Sequence, residues 1–299
     1  MSNLVIIRNI RVEYANSAAG LTWGFPAITA FMGFTHALSR KLSPEHGVTL
    51  HETAVIAHSV HQQASSKNSG EYRFHITRNP RTRLGEVAPF NGECKMHMTV
   101  SLLIKSHGSL KFGDIGAQQL ADEIAGLVQD MRLAGGLVTA LDSVKVISLP
   151  EDEKATRRIG YSLLPGFALT FKDLPSGSPD DFLRTASVEW YAEPEGSDGS
   201  AEWRVKPREV SGYLVPLMVG YRAVSPLVGP GEAQQSRDRT KPFALAEPVH
   251  ATGEWRSPHR VRHLDEILWR YETAPGYYLC RSGGMEQTEY DFSDINYFE

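Results

Sequence analysis

The sequence predicts an α+β fold in which amphipathic helices lie against a β-sheet. Three observations predict it. A β-branched run opens the chain, two later segments carry apolar residues at helical spacing, and strand-like segments lie between and after them. The predicted order is β-α-β-β-loop-β-α-β.

Residues 4–13, Leu-Val-Ile-Ile-Arg-Asn-Ile-Arg-Val-Glu, form the first expected strand. The loop 18–26 follows. Pro26 suits the first turn of a helix running to about Leu42, with Ile28, Phe31, Met32, Thr35 and Leu38 along one face. Segments 53–63 and 71–78 are expected to pair as strands across the turn Ser65–Gly70. The stretch 79–93, with two prolines and two glycines, is expected as an exposed loop. In 94–105, Met96, Met98, Val100 and Leu102 share a face. Gln118 to Arg132 is an expected helix with Leu120, Ile124, Leu127, Val128 and Met131 as its stripe, stopped at Gly135-Gly136. Strands are expected at 137–148, 158–171 and 211–222, the last with Pro216 at an edge or bulge, and a short helix at 264–271. Segment 173–204 is expected to be an irregular acidic insertion. The βαββαβ order is a ferredoxin-like pattern with an added strand and loop.

The chain has 299 residues, 41% apolar and 22% charged, the profile of a globular protein. No run of 18 apolar residues occurs, so no membrane span is expected. Cys94 and Cys280 lack partners at metal spacing, which argues against a zinc site or a disulfide framework. These features favour a cytoplasmic protein without cofactor. The net charge is −4, from 35 acids and 31 bases. Eight of the acids and one base fall in 173–202, and five acids with no base fall in 285–299; the remainder holds 22 acids and 30 bases. A basic face is therefore compatible with an acidic total.

The arginines gather in short runs: Arg78-Asn79-Pro80-Arg81-Thr82-Arg83, Arg237-Asp238-Arg239-Thr240-Lys241, and Trp255 to Arg262 with Arg256, His259 and Arg260. A planar guanidinium fits phosphate oxygens and stacks on bases, so these residues are candidate RNA contacts; a solvated basic surface is the plain alternative. Asn79 is either a base-edge reader or a turn residue. Asp238 could tie up one guanidinium. Ser257-Pro258 reads as a helix start, with His259 and Arg260 in the first turn. Trp23, Phe25 and Trp255 suit either base stacking or core packing. His36, His58, His61, His75 and His97 lie on separate expected elements, and no His-Lys-Tyr set, paired carboxylates or P-loop is evident.

An ordered set of motifs spans residues 4–271. It includes Leu21-Thr-Trp-Gly-Phe-Pro26, Phe31-Met-Gly-Phe-Thr-His-Ala-Leu38, Thr77-Arg-Asn-Pro80, Met131-Arg-Leu-Ala-Gly-Gly136 and Leu163-Leu-Pro-Gly-Phe-Ala-Leu169. Gly220-Tyr221, Ser225-Pro-Leu227, Pro230-Gly-Glu232, Arg237-Asp-Arg239 and Gly253 to Val261 complete it. In this order the chain resembles the second subunit of the Csy complex, the subtype I-F CRISPR surveillance complex. The resemblance implies a RAMP-type protein of the Cas-five class: a ferredoxin-like, RRM-related core with a protruding β-hairpin thumb. Its domain plan would be a core over 1–172 with the hairpin at about 65–93, the acidic insertion 173–204, and 205–299 completing the same domain. It further implies a non-catalytic subunit that caps the 5′ handle of the guide RNA (crRNA), pairs with the large subunit and touches the terminal copy of the backbone subunit. Contact with target DNA stays open. RAMP proteins place a Gly-rich loop where Arg132, Gly135 and Gly136 stand, letting RNA approach the backbone. An RNA endonuclease of the same fold is the alternative.

Overall fold

In a computed structural model, residues 2–68, 71–174, 178–195, 200–208, 210–234, 236 and 238–283 are described. Arg237 and the acidic tail 285–299 lie outside them. The first half runs β1 (Asn3–Asn16), β2 (Ala18–Ala19), β3 (Thr22–Trp23), α1 (Ile28–Lys41) and β4 (Val48–Gln62). It continues through β5 (Ala64–Asn68), β6 (Glu71–Arg78), β7 (Phe90–Glu93), β8 (Lys95–Gly108), α2 (Gly113–Gln129), β9 (Arg132–Leu133), β10 (Gly136–Ala140) and β11 (Ser143–Ser148). β4 pairs with β8, β8 with β1, and the far edge of β1 with β11 and then β10, all antiparallel.

Both faces of this sheet are covered at the start of β1, which explains its uninterrupted apolar run Leu4–Ile7. Val5 and Ile7 join Met96, Met98, Val100 and Leu102 of β8 under α1 and α2, while Leu4 and Ile6 enter a second core on the opposite face. The helical stripe of α1 is as expected, with Phe34 added to the buried set. Pro26, however, precedes the helix, whose N-cap is Ala27. α2 begins five residues earlier than expected, at Gly113, and ends at Gln129. Gly135-Gly136 is therefore no helix stop.

The expected pairing of 53–63 with 71–78 is replaced. β6 pairs with β5 and with β7, whose residues were expected to be loop, in a separate three-stranded sheet. Strand periodicity locates strands; it does not name partners. Trp23 packs against Tyr72 and Phe74 of this small sheet, with ring centroids 5.2 Å away in each case.

The second half contains α3 (Glu153–Ser162), β12 (Phe167–Phe171), α4 (Pro179–Ala186), β13 (Trp190–Glu195), β14 (Ser200–Val205), β15 (Tyr213–Ala223), β16 (Ala246–Arg256), β17 (Trp269–Ala274) and β18 (Tyr277–Ser282). Three expectations fail here. The stretch 158–171 is the end of a helix and a short strand. The predicted helix 264–271 is one 3₁₀ turn, Leu264–Glu266, followed by β17. Segment 173–204 is not irregular, since it builds α4 and most of a hairpin. Strands β12-β16-β15-β18-β17 follow one another, and both end strands dock on the same edge of β4, β17 at Thr53 and β12 at Ile56–Ala57. Pro216 stands where β15 pairs only with β16, because β18 reaches only Gly220–Arg222.

The second core is closed by residues 257–268, which contribute Val261, Leu264, Ile267 and Leu268. One carboxylate pins that segment. Glu266 accepts from the amides of Arg262 (3.0 Å) and His263 (2.9 Å) and from Arg256 Nη1 (2.9 Å). Burial alone would raise the pKa of Glu266; the two amides and the guanidinium outweigh it and hold the carboxyl below its usual range. A carboxyl depressed in this way stabilises the fold above the ordinary carboxylate range, and the contribution is lost as pH falls through the folded-state value. α3 rests on the same segment through Gly160, where a Cβ would run into the backbone of Pro258 and His259.

Two outcomes follow from this packing. Glu266→Gln should cost about 2 kcal/mol near neutrality, since it removes a charge-assisted bond from a half-buried arginine. Its unfolding free energy should also decline less steeply on acidification than that of the parent; equal slopes in denaturant titrations at several pH values would refute the assignment. Gly160→Ala should destabilise by about 1–3 kcal/mol through overpacking, read from the same titrations.

Candidate nucleic-acid interface

A groove of about 900 Å³ opens between α1, the 16–27 segment, the β9–β10 hairpin and strands β15, β16 and β18. Its α1 wall is mostly small residues, Thr29, Ala30, Gly33 and Ala37 with the N-cap Ala27, interrupted by Phe34. A Cβ placed on Gly33 meets nothing within 4 Å, so the glycine opens space rather than serving packing inside the chain. Tyr221 and Tyr278 line the opposite side, and Tyr278 is stacked on Tyr271 at 5.5 Å. Burial raises the pKa of Tyr278, so its phenol remains a neutral hydrogen-bonding group.

Arg132 and Gly135 stand at the rim of this groove. The turn between β9 and β10 has Ala134 and Gly135 at its centre with φ of 50° and 77°. Two consecutive positive values define the hairpin turn that fits right-twisted strands, and glycine takes the second without a Cβ penalty. Asn16 N donates to Ala134 O at 2.8 Å and ties the turn to the end of β1. Gly135 is exposed with open space beside it, and Arg132 Nη1 donates to its carbonyl at 3.3 Å. Gly136 differs from the expectation. It is buried against the backbone of Glu13 and Ala15, so the close approach expected of a glycine pair falls to Gly135 alone.

The remaining predicted residues lie on other elements. Arg78, Asn79, Arg81 and Arg83 are exposed on β6 and the loop before β7. The guanidinium of Arg78 sits 4.0 Å from the centre of the Phe90 ring, and Arg81 Nη1 donates to Gly85 O at 2.9 Å. Arg239 is exposed in the loop between β15 and β16 and donates to Gly231 O. Asp238 does not neutralise Arg239. Its Oδ1 accepts from Thr240 N and Oγ1, bonds that hold its carboxyl below the usual range. Arg256 is the clearest reassignment, since its charge is taken by Glu266 inside the protein. After Ser257-Pro258 comes a single 3₁₀ turn, Pro258–Arg260, whose amides at Arg260 and Val261 are already bonded to Ser257 and Pro258. It offers no row of free N–H groups to an anion. Trp255 packs edge-on against Phe25 at 4.9 Å, as a core residue would.

His259 and Arg260 nevertheless belong to a basic surface that sequence reasoning missed. Lys154, Arg157, Arg158 and Tyr161 project from α3 at helical spacing and are all exposed. Tyr161 stacks on His259 at 5.4 Å and 20°. Arg8 donates to Ser162 O beside them. Arg157 pairs with Glu153 at 3.9 Å, while Lys154, Arg158 and Arg260 have no ion pair among the described residues. The missed signal was the helix start: Asp152 accepts from Ala155 N at 2.6 Å as N-cap. Reading 158–171 as a strand concealed the stripe.

Two of the five histidines do meet. His61 lies opposite His97 in the β4–β8 register with parallel rings 6.4 Å apart, and Tyr14 sits edge-on to His97 at 5.0 Å. His58 instead bridges Pro165 O and Ser101 Oγ, each at 2.7 Å. Among the described residues no group of three His, Cys, Asp or Glu could hold a metal ion.

The model of a family described as CRISPR-associated protein (Cas_Csy2) matches residues 5–280. The CRISPR-associated protein Csy2 of Pseudomonas aeruginosa (strain UCBPP-PA14) is 33% identical over 310 aligned positions, covering 93% of this chain and 94% of that protein. With a match over nearly its whole length, and with the ordered motifs spread across both halves of the sheet, the chain belongs to the Csy2 family of CRISPR-associated proteins.

Proposed function

We propose that this chain is the non-catalytic RNA-binding subunit of a type I-F CRISPR surveillance complex, where it caps the 5′ handle of the crRNA. Its partners in this reading are the large subunit, with which it pairs, and the terminal copy of the backbone subunit. The observation that carries it is the groove at the β9–β10 turn. An exposed arginine, an open glycine, a wall of mostly small side chains and two tyrosines provide phosphate contact, close backbone approach and stacking surfaces for single-stranded RNA. The sheet order β11-β1-β8-β4 with α1 and α2 packed on one face supports a ferredoxin-like, RAMP-type core within residues 1–172. The β5-β6-β7 sheet supports the thumb, and the continuous 11-stranded sheet supports one domain. Arg78, Arg81, Arg83, Arg239, His259 and Arg260 are secondary contacts in this reading, and Arg256 is a structural residue.

Among the described residues, the juxtaposed His61, His97 and Tyr14 favour the alternative, metal-independent cleavage of precursor crRNA by general acid–base chemistry. The groove outweighs it, because these rings lie outside the groove's lining.

Arg132→Glu in the assembled complex should weaken handle binding roughly tenfold and flatten its salt dependence by about one counterion. Gly33→Leu should weaken binding similarly while leaving thermal stability near that of the parent, since the added side chain enters open space. Handle affinity unmoved by both substitutions would remove the groove from the RNA path. Labelled precursor crRNA incubated with the purified chain should stay intact; site-specific cuts abolished by His97→Ala would establish the endonuclease instead.

A further inference from the structure

The hairpin β13–β14 stands apart from both cores. Trp190, Ala192 and Pro194 alternate along β13 and lie opposite Val205, Trp203 and Ala201 of β14. Residues directly across an antiparallel pair share a face. That face is therefore apolar at all six positions, and all six are exposed, Trp190 at 57% and Trp203 at 67%. The reverse face carries Tyr191 and charged side chains that pair across it: Arg204 reaches Glu193 at 2.7 Å and Glu202 at 3.1 Å, and Lys206 reaches Glu189 at 3.2 Å at the strand ends. A two-stranded ribbon is marginal in water by itself. An exposed patch with two tryptophans at its centre has the make-up of a binding hot spot. α4 anchors the base of the hairpin, with Thr185 Oγ1 3.3 Å from Thr252 Oγ1 on β16.

Charge selects the occupant. Residues 187–206 carry five acids, at 189, 193, 195, 198 and 202, and only two bases, Arg204 and Lys206, both already paired, and α4 adds Asp180 and Asp181 in its first turn. Such a surface repels nucleic acid and anionic lipid. We propose that the Trp190–Trp203 face docks onto another protein subunit of the complex, at an apolar strip rimmed by lysine and arginine. This inference rests on the proposed membership of a multi-subunit assembly, and it assigns to the acidic insertion a protein-binding role separate from the RNA groove.

The test uses the full chain carrying Trp190→Ser and Trp203→Ser. Purified parent or variant chain is titrated into a complex assembled from the other Csy subunits and crRNA, tagged on one of those subunits. The parent should incorporate. The variant should need roughly tenfold more chain for half-incorporation, as expected for loss of hot-spot tryptophans, with crRNA bound per incorporated chain unchanged. Because the hairpin contributes nothing to either core, the two chains should unfold at the same temperature. Independently, amide exchange at 190–205 in the parent should slow on incorporation and remain slow after nuclease treatment. Equal incorporation with unchanged exchange would sink the docking face. So would a dimer of the free parent chain that the variant abolishes, since the occupant would be a second copy, and so would loss of crRNA with protein retained. A parent chain that never incorporates would overturn the assigned function as well, which separates the two failures.

Discussion

The whole architecture depends on β4. One of its edges pairs with β8 along nearly its full length. The other receives both ends of the C-terminal five-stranded unit. Ala54, Val55, Ile56 and Ala57 are buried in succession because cores press on both sides of the strand. A strand in that position cannot alternate polar and apolar residues. Trp269 reinforces the join: it is fully buried at the start of β17, and its Nε1–H donates to Leu169 O of β12 at 2.9 Å, linking the two strands that end on β4. At the same level, Thr53 Oγ1 lies 2.6 Å from Thr35 Oγ1 of α1, so a buried polar group is satisfied rather than orphaned.

This constraint places the functional surfaces. α1 and α2 lie on one face of the sheet, and the groove forms where α1 meets the curled C-terminal strands. α3 and the 257–268 segment cover the other face and display Lys154, Arg157, Arg158 and Arg260 outward. The acidic insertion hangs from β15 and β16 through α4. Acidic and basic surfaces are thus kept on different parts of one molecule, with the α3 basic cluster on the face opposite α1.

Local periodicity made much of the framework legible. Ile28, Phe31, Met32, Thr35 and Leu38 all face the first core, as do Met96, Met98, Val100 and Leu102. Leu120, Ile124 and Val128 do the same on α2. These patterns arise from the pitch of one helix or the pleat of one strand, so a short window contains them. Element boundaries were weaker, since caps such as Asp152 and Ala27 are single residues beside mixed sequence. Strand partners were weaker still: β6 joins β5 and β7 because of where β4 and β8 leave the sheet, which no pattern inside 71–78 records.

The sequence by itself determined the faces of α1 and α2, the charge segregation and, through its ordered motifs, the family. Only the tertiary structure decided which charges remain free. Arg256 and Arg260 are equivalent in the sequence, yet Glu266 neutralises the first and leaves the second exposed. Gly135 and Gly136 are adjacent, yet β1 fills the space beside only one of them. Trp190 and Trp203 share an open face while Trp269 is sealed. In each case the deciding atom belongs to another element of the fold. Electrostatic and steric outcomes depend on distance in space, and that distance is set when β4 gathers the two halves.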